Sequence, residues 1–288
     1  MGRVRVAAAL GAVALLLAGT ACGERKEPTG TKVRIYPVTV QGAGERPTIL
    51  RAAPHRIVPL GPGPRRILKA LGLQKRMITV NDELVGLPLV GAIRRAHPDL
   101  IVASEDADPL DLARASSATH AAIYVEPGES LEGVERGIDD IGLLAGRPVA
   151  ARRLSAAIAR TRRRLAARLS GYPQATAFID VGSFGTVGSR TLLGDLVVEA
   201  GGKDIAGPAP EQGPFPLRDL VKANPDVYLA ISDSGTTLAS LRQNRLTKRL
   251  TAVRKGRFGV LPARFVVPGP GVGSALVEVA KILHPDAF

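Results

Sequence analysis

The sequence predicts an α/β protein of two similar lobes joined by one long helix. Three observations carry this expectation. The first is a phrase used twice: His97-Pro98-Asp99-Leu100-Ile101-Val102-Ala103-Ser104 and Asn224-Pro225-Asp226-Val227-Tyr228-Leu229-Ala230-Ile231-Ser232. In each copy the proline disfavours helix at the residue before it, and the aspartate completes a turn. The apolar run that follows has the length of a fully buried strand. The second observation is the character of such runs, which belong to parallel sheets covered by helices on both faces. The third is the stretch from Pro148 to Ser170, with proline in its first turn and Gly171 just past its end. At the usual rise residues 148–170 span roughly 35 Å, enough to cross from one lobe to the other. A cleft is expected between the lobes.

The elements follow in order. Arg3 and Arg5 precede an apolar run from Val6 to Leu17, then Ala18-Gly19-Thr20-Ala21-Cys22. A charged head, about a dozen apolar residues and small residues at the end form an export signal. The run is short of the roughly 20 residues that a spanning helix needs. Residues 1–21 are therefore expected to be a signal peptide and 22–31 a polar tether. Thr31–Val40 alternates as a strand, and Gln41–Gly44 turns. The first lobe, 32–147, has strands at Arg56–Leu60, Met77–Val80, Leu100–Ala103 and Ala121–Val125. Its helices are expected through Ile67–Leu71, near Pro109–Ala115 and from Leu131 to Ala145. The inter-lobe helix, 148–170, carries Leu154, Ile158, Leu165 and Leu169 on one stripe. Its arginines, Arg162 among them, form a solvated face around the rest.

The second lobe, 171–288, opens with a strand at Thr176–Val181 and a loop at Gly182–Gly188. Helices follow at Leu192–Ala200, up to Ala223 and near Leu246–Val253. The repeated strand precedes the last of these. A strand at Arg257–Leu261 and a helix from Gly273 to Leu283 complete the chain.

A formal charge of +13 falls to +11 once Arg3 and Arg5 leave with residues 1–21. Such a charge favours anionic partners. Nucleic acid is excluded because the basic residues are scattered, no nucleic-acid motif appears and the chain is exported. Cys22 is the single cysteine. The mature chain thus has no internal disulfide, and its core alone must hold it. The four histidines, His55, His97, His120 and His284, have no metal-ligand spacing. Gly182-Ser183-Phe184-Gly185-Thr186-Val187-Gly188 lacks the Gly-Lys-Ser/Thr of a phosphate loop. Asp180, Asp233 and Glu105 could face a cleft, but nothing selects them as an acid–base pair. No catalytic residue, no metal site and no cofactor is expected.

The segment ending in Cys22 resembles a bacterial lipoprotein signal, which implies a lipid anchor on that cysteine. Gly19 stands where the pattern prefers leucine. A wider resemblance is carried by Pro54-His55-Arg56-Ile57-Val58 with Ile67-Leu68-Lys69-Ala70-Leu71-Gly72-Leu73. It continues in Gly142-Leu143-Leu144-Ala145-Gly146, Leu193-Gly194-Asp195-Leu196, Glu199-Ala200-Gly201-Gly202 and Asn224-Pro225-Asp226. Leu250–Arg257 and His284-Pro285-Asp286-Ala287-Phe288 close the series. From about residue 32 to 288 these resemble the solute-binding lipoproteins of ABC importers for iron-siderophore, haem and cobalamin. The resemblance implies a non-enzymatic monomer that captures a small molecule between two lobes and hands it to an ABC permease.

Three departures stand out. Where the family carries docking glutamates for the permease, this chain has Arg66 and Arg218. Val90-Gly91 reaches Pro98 in six residues, which trims one wall of the cleft. No tryptophan is present to stack on a corrin or porphyrin. In open α/β lobes, ligands sit beyond the carboxyl ends of strands. Those ends are Pro62-Gly63, Ser104-Glu105, Ser183-Phe184 and Ser232-Asp233, with Arg94, Arg190 and Arg264 in neighbouring stretches. The expected ligand contacts are Arg94, Arg190, Arg264, Ser183, Phe184 and Ser232. Arginine forks suit carboxylates, so an anionic metal chelate is the expected ligand, an iron-siderophore first and haem or cobalamin next. The competing expectation is the same fold retained as an envelope scaffold with an altered docking surface.

Overall fold

Buried and exposed residues alternate at Val38–Val40 and at Thr48–Leu50, the period of a strand with one wet face. These strands, β1 and β2, pair antiparallel as a small flap. The computed structural model describes residues 35–207 and 213–288. Segment 1–21, Cys22, the tether 22–31 and the start of the first expected strand lie outside the described residues.

Three fully apolar runs then build a parallel sheet. They are β3 (Ile57–Leu60), β4 (Leu100–Ala103) and β5 (Ala122–Val125), in the order β3-β4-β5. Helix α1 (Pro62–Ala70) leaves β3 at once, α2 (Leu87–Ala96) leads into β4, and α3 (Pro109–Thr119) joins β4 to β5. Asp108 caps α3 by accepting from the amides of Leu110 and Asp111. Helix α4 (Leu131–Leu144) is capped by Ser130, and α5 (Pro148–Leu169) follows after a short turn.

Beyond α5 comes β6 (Ala175–Asp180), then the two-residue strand β7 (Gly185–Thr186) and helix α6 (Leu192–Glu199). Strands β8 (Gly202–Asp204) and β9 (Gly213–Pro214) precede α7 (Leu217–Ala223) and β10 (Val227–Ile231). Helices α8 (Leu238–Gln243) and α9 (Thr251–Arg254), strand β11 (Phe258–Leu261) and helix α10 (Val272–Leu283) finish the chain. The second parallel sheet runs β11-β10-β6-β8.

The repeated phrase does the same work twice. His97 and Asn224 end α2 and α7 in the left-handed conformation, each at φ 45°. Proline then blocks further helix. Asp99 accepts from the amides of His55 (2.6 Å) and Arg56 (2.8 Å) at the entrance of β3. Asp226 accepts from the amide (2.9 Å) and hydroxyl (2.7 Å) of Thr176 in β6. In both sheets the aspartate thus ties the start of its own strand to the neighbouring one.

The two parallel sheets share no strand pairing. Helix α5 packs on α4, which follows the first sheet in the chain, and on α10, which follows the second. Ala151, Ile158, Leu165 and Leu169 of α5 join one apolar core that reaches from Val38 to Ala287. Arg162 is no part of a solvated face, contrary to expectation. It bridges Glu135 of α4 (3.1 Å) and Glu199 of α6 (2.7 Å). Gly142 and Ala151 set how closely α4 approaches α5, since a side chain at Gly142 would collide with the Ala151 methyl. Gly142→Val is therefore expected to cost about 1–3 kcal/mol through overpacking. That loss would appear in a thermal melt as a fall of about 2–4 °C per kcal/mol.

The differences from expectation have local causes. Met77–Val80 is not a strand: Met77 makes one parallel bridge to Ile57, and Ile78 donates to Ile57 O (2.8 Å). The chain then turns away, because Asp82 is held by the Gly61 amide and the Arg65 guanidinium. Of the six residues between Gly91 and Pro98, Ala92–Ala96 belong to α2, started by Gly86 and Pro88, and His97 is its left-handed cap. Strands β2, β7, β8 and β9 and helix α8 were not expected.

Candidate functional site

Each strand of the first sheet ends on a residue that faces the same space. Gly61 follows β3 at φ 99°, a conformation that suits glycine, and Pro62 and Gly63 open α1 there. Ser104, Glu105 and Asp106 follow β4. Glu126 follows β5, its amide donating to Ala103 O (2.8 Å) and so extending the parallel ladder by one residue. From beyond α5 come Thr191 and Leu192 at the start of α6, and Val266, Val267 and Pro268 in the loop after β11. Together with Gly128 and Glu129 these line a cavity of ≈ 400 Å³.

The lining is acidic. It holds Glu105, Asp106, Glu126 and Glu129 and no basic residue. Glu105 accepts from the Gly128 amide (3.0 Å), and Asp106 accepts from the Ser104 hydroxyl (2.5 Å). Burial pushes the Glu105 carboxyl above its ordinary range. Glu126 is the exceptional member. It is 1% exposed, and neither carboxyl oxygen meets a hydrogen-bond donor among the described residues. Burial, then the charges of Asp106 and Glu105, push its pKa up to about 8. Its carboxyl lies against Gly63, where a side chain would collide with Oε1. Pro268 closes over the same spot: a side chain at Gly128 would come within 2.8 Å of its Cγ.

The residues expected to contact ligand are placed as follows. Pro62, Gly63, Ser104 and Glu105 line the cavity. Arg94, Arg190, Arg264, Ser183, Phe184 and Ser232 do not. Arg94 is exposed in the last turn of α2. Arg190 is exposed and directly precedes Thr191. Arg264 lies beside the cavity loop with its guanidinium over the Phe265 ring, 5.0 Å from the centroid. Ser183 and Phe184 form a left-handed pair, φ 52° and 57°, in the turn after β6. Phe184 packs toward the core of the second sheet. Ser232 accepts from the Ala263 amide (3.0 Å) and donates to Asp233 (2.8 Å). Asp180 does not face the cavity, being enclosed in the second sheet by Tyr228 and Thr236.

Arg66 and Arg218, the candidate docking residues, differ from each other. Arg218 is exposed on α7. Arg66 is half-buried and donates to the carbonyl of Arg264 (2.5 Å), at the edge of the Val266–Pro268 loop that lines the cavity. It therefore ties α1 to the far wall of the cavity.

Among the described residues no group of histidine, cysteine, aspartate or glutamate is arranged to hold a metal ion, and no helix is long and apolar enough to cross a membrane. The cavity is bounded by strand ends of the first parallel sheet and by residues of α6 and of the loop after β11.

A model of the family described as periplasmic binding protein matches residues 86–265. The chain belongs to the periplasmic binding protein family. It is thus a substrate-binding protein and not an enzyme. An uncharacterized ABC transporter substrate-binding lipoprotein, YvrC of Bacillus subtilis, is 25% identical over 99% of this chain and 98% of its own length. A cobalamin-binding protein of Halobacterium salinarum is 23% identical over 86% of this chain and 74% of its own. Among solved structures, nickel-bound Ceue of Helicobacter pylori superposes with a TM-score of 0.75 at 16% identity, covering 87% of this chain and 90% of that one. The periplasmic heme-binding protein RhuT of Roseiflexus sp. gives 0.67 at 20% identity, covering 82% and 100%. These structural likenesses establish the fold of this binding protein.

Sequence reasoning missed Glu126, Glu129 and Val266–Pro268. The available signal was Val125-Glu126-Pro127-Gly128, a carboxylate placed directly at the end of a buried strand and stopped by proline.

Proposed function

We propose that this chain is the extracytoplasmic solute-binding lipoprotein of an ABC importer, capturing a metal chelate between lobes 32–147 and 171–288 around helix 148–170. The observation that carries the reading is the cavity itself. It sits beyond the carboxyl ends of the first sheet, where α/β proteins hold ligands, and its other wall comes from beyond α5. Relatives named for ABC substrate binding and for cobalamin support the transport role and the chelate class. An anionic chelate suits this lining poorly, since its charge would meet Glu105, Asp106, Glu126 and Glu129 at close range. Ferric hydroxamates and corrinoids without excess negative charge fit better than catecholates.

Differential scanning fluorimetry of the mature protein against ferric hydroxamates, ferric catecholates, haem and cobalamin tests the reading. A ligand at 100 times its Kd adds about 2.7 kcal/mol. A flat response to every chelate would sink the capture role and leave the scaffold reading. The lipid anchor on Cys22 has its own test. Cys22→Ala is expected to move the protein from the membrane fraction to the soluble fraction, and unchanged membrane retention would count against the anchor.

Permease docking at Arg66 and Arg218 divides into two expectations. Arg218→Glu acts on an exposed residue and should change stimulation of the partner ATPase without altering ligand affinity. Arg66→Glu removes the bond to the Arg264 carbonyl and should change ligand affinity as well.

A further inference from the structure

We infer that Glu126 is a specificity residue that receives a positively charged group of the solute, such as an ammonium arm or a cationic metal centre, so that the protein selects cationic over neutral chelates. This rests on the capture reading above and names the charge of the occupant. The observation that points to a ligand is the unpartnered carboxyl itself, buried to 1% exposure with both oxygens lacking a donor. Buried polar groups in folded proteins nearly always have partners, and an exception calls for one. Glu105, Asp106 and Glu129 line the same cavity, and no lysine, arginine or histidine does.

The arginines of α1, the helix that Gly63 opens, make contacts elsewhere. Arg65 pairs with Asp82, and Arg66 donates to the carbonyl of Arg264. Arg65 keeps a buried Nε without an acceptor, yet no hydrogen bond joins it to Glu126. Pro268 lines the same cavity from the far wall, within a loop where Gly269 (φ 138°) and Gly271 flank Pro270.

The chemistry has a direction in pH. Burial, with Asp106 and Glu105 adding to it, keeps Glu126 protonated at neutral pH in the free protein, with a pKa of about 8. Binding a cation favours the ionised form, so the proton leaves to solvent as the cation enters. Affinity for a cationic solute should therefore rise with pH between about 6 and 8, approaching tenfold per unit.

The test uses the mature protein and Glu126→Gln, which matches the protonated side chain in shape and preserves the fold. The probes are two pairs differing by one positive charge. One is the ferric complex of a linear trihydroxamate ending in a primary amine, with its amine-acetylated form. The other is a corrinoid with water at cobalt, with its cyanide-ligated neutral form. The expected result is at least tenfold tighter binding of a charged member over its neutral partner. The preference should rise with pH in the amine pair, whose ammonium keeps its charge across the window. The corrinoid pair is read at about pH 6, where the water on cobalt stays protonated. In Glu126→Gln the preference and its pH dependence should vanish. Equal affinity within a pair that binds, or an unchanged preference in Glu126→Gln, would overturn the inference while leaving chelate capture in place. Should none of the four bind, chelate capture fails, and spermidine decides the inference alone. A thermal shift with spermidine that Glu126→Gln abolishes supports it, and no shift, or one that persists in the variant, overturns it.

Discussion

Replacing Asp180 by alanine is expected to be the most damaging single change in the second sheet. Asp180 ends β6 with no exposure to solvent. Its Oδ2 accepts from the hydroxyls of Tyr228 (2.7 Å) and Thr236 (2.6 Å), and its Oδ1 accepts from the Gly182 amide (2.8 Å). Tyr228 is itself fully buried, stacked on Phe258 and edge-on to Phe178, so its hydroxyl has no water to turn to. Burial, reinforced by the hydrogen bond to Asp180, holds that phenol well above its ordinary pKa, firmly in the donor form. Asp180→Ala would strand the phenol and free the Gly182 amide that braces the left-handed turn at Ser183-Phe184. A loss of about 3–5 kcal/mol is expected from an uncompensated buried group. At about 2–4 °C per kcal/mol this is a fall in Tm of roughly 6–20 °C. Asp180→Asn keeps the shape and an acceptor oxygen and should lose less than half as much. If both variants melt within a degree of the parent, the network contributes nothing to stability.

The sheets were legible because buried parallel strands are short apolar runs punctuated by proline and glycine. Residues 100–103 and 227–231 could be placed on those grounds, and the twice-used Pro-Asp phrase stands at matching places in both sheets. The long helix was legible from Pro148 and Gly171. What escaped were features decided by distant neighbours. Met77–Val80 has strand composition, yet Asp82 draws the following chain back to Gly61 and Arg65. Arg162 looks like any other arginine on a basic helix until α4 and α6 bring Glu135 and Glu199 to it. The cavity followed the same rule. The strand-end principle located Pro62-Gly63 and Ser104-Glu105, which line it. It pointed equally to Ser183 and Ser232, whose strands also end at a sheet edge but whose loops turn elsewhere. Arginines drew notice by their charge, whereas Glu126 is one carboxylate among many until burial and the approach of Pro268 set it apart.

The pH dependence of folding should carry the mark of that one carboxyl. The ordinary glutamate value is 4.5, and in the folded chain Glu126 is raised to about 8, by burial first and by Asp106 and Glu105 next. Below pH 4.5 the carboxyl is protonated in both folded and unfolded chains, and its contribution is fully present. Between 4.5 and 8 the folded protein holds the proton that the unfolded chain has released. The unfolded state then binds fewer protons, so stability falls as pH rises through this window. Above about 8 the loss is complete. A full shift of this size corresponds to about 1.4 kcal/mol per pH unit, and relaxation around the ionised group reduces the total to on the order of 2–4 kcal/mol. Glu126→Gln has no such proton to lose. Its melting temperature should match the parent near pH 4.5 and exceed it by several degrees at pH 8.5. Glu105→Gln should leave the sign unchanged and reduce the size of the difference, because one of the charges raising Glu126 is gone. Parallel melting curves for parent and Glu126→Gln across the whole range would mean that the carboxyl is ionised and paired at neutral pH, and that its burial costs the fold nothing.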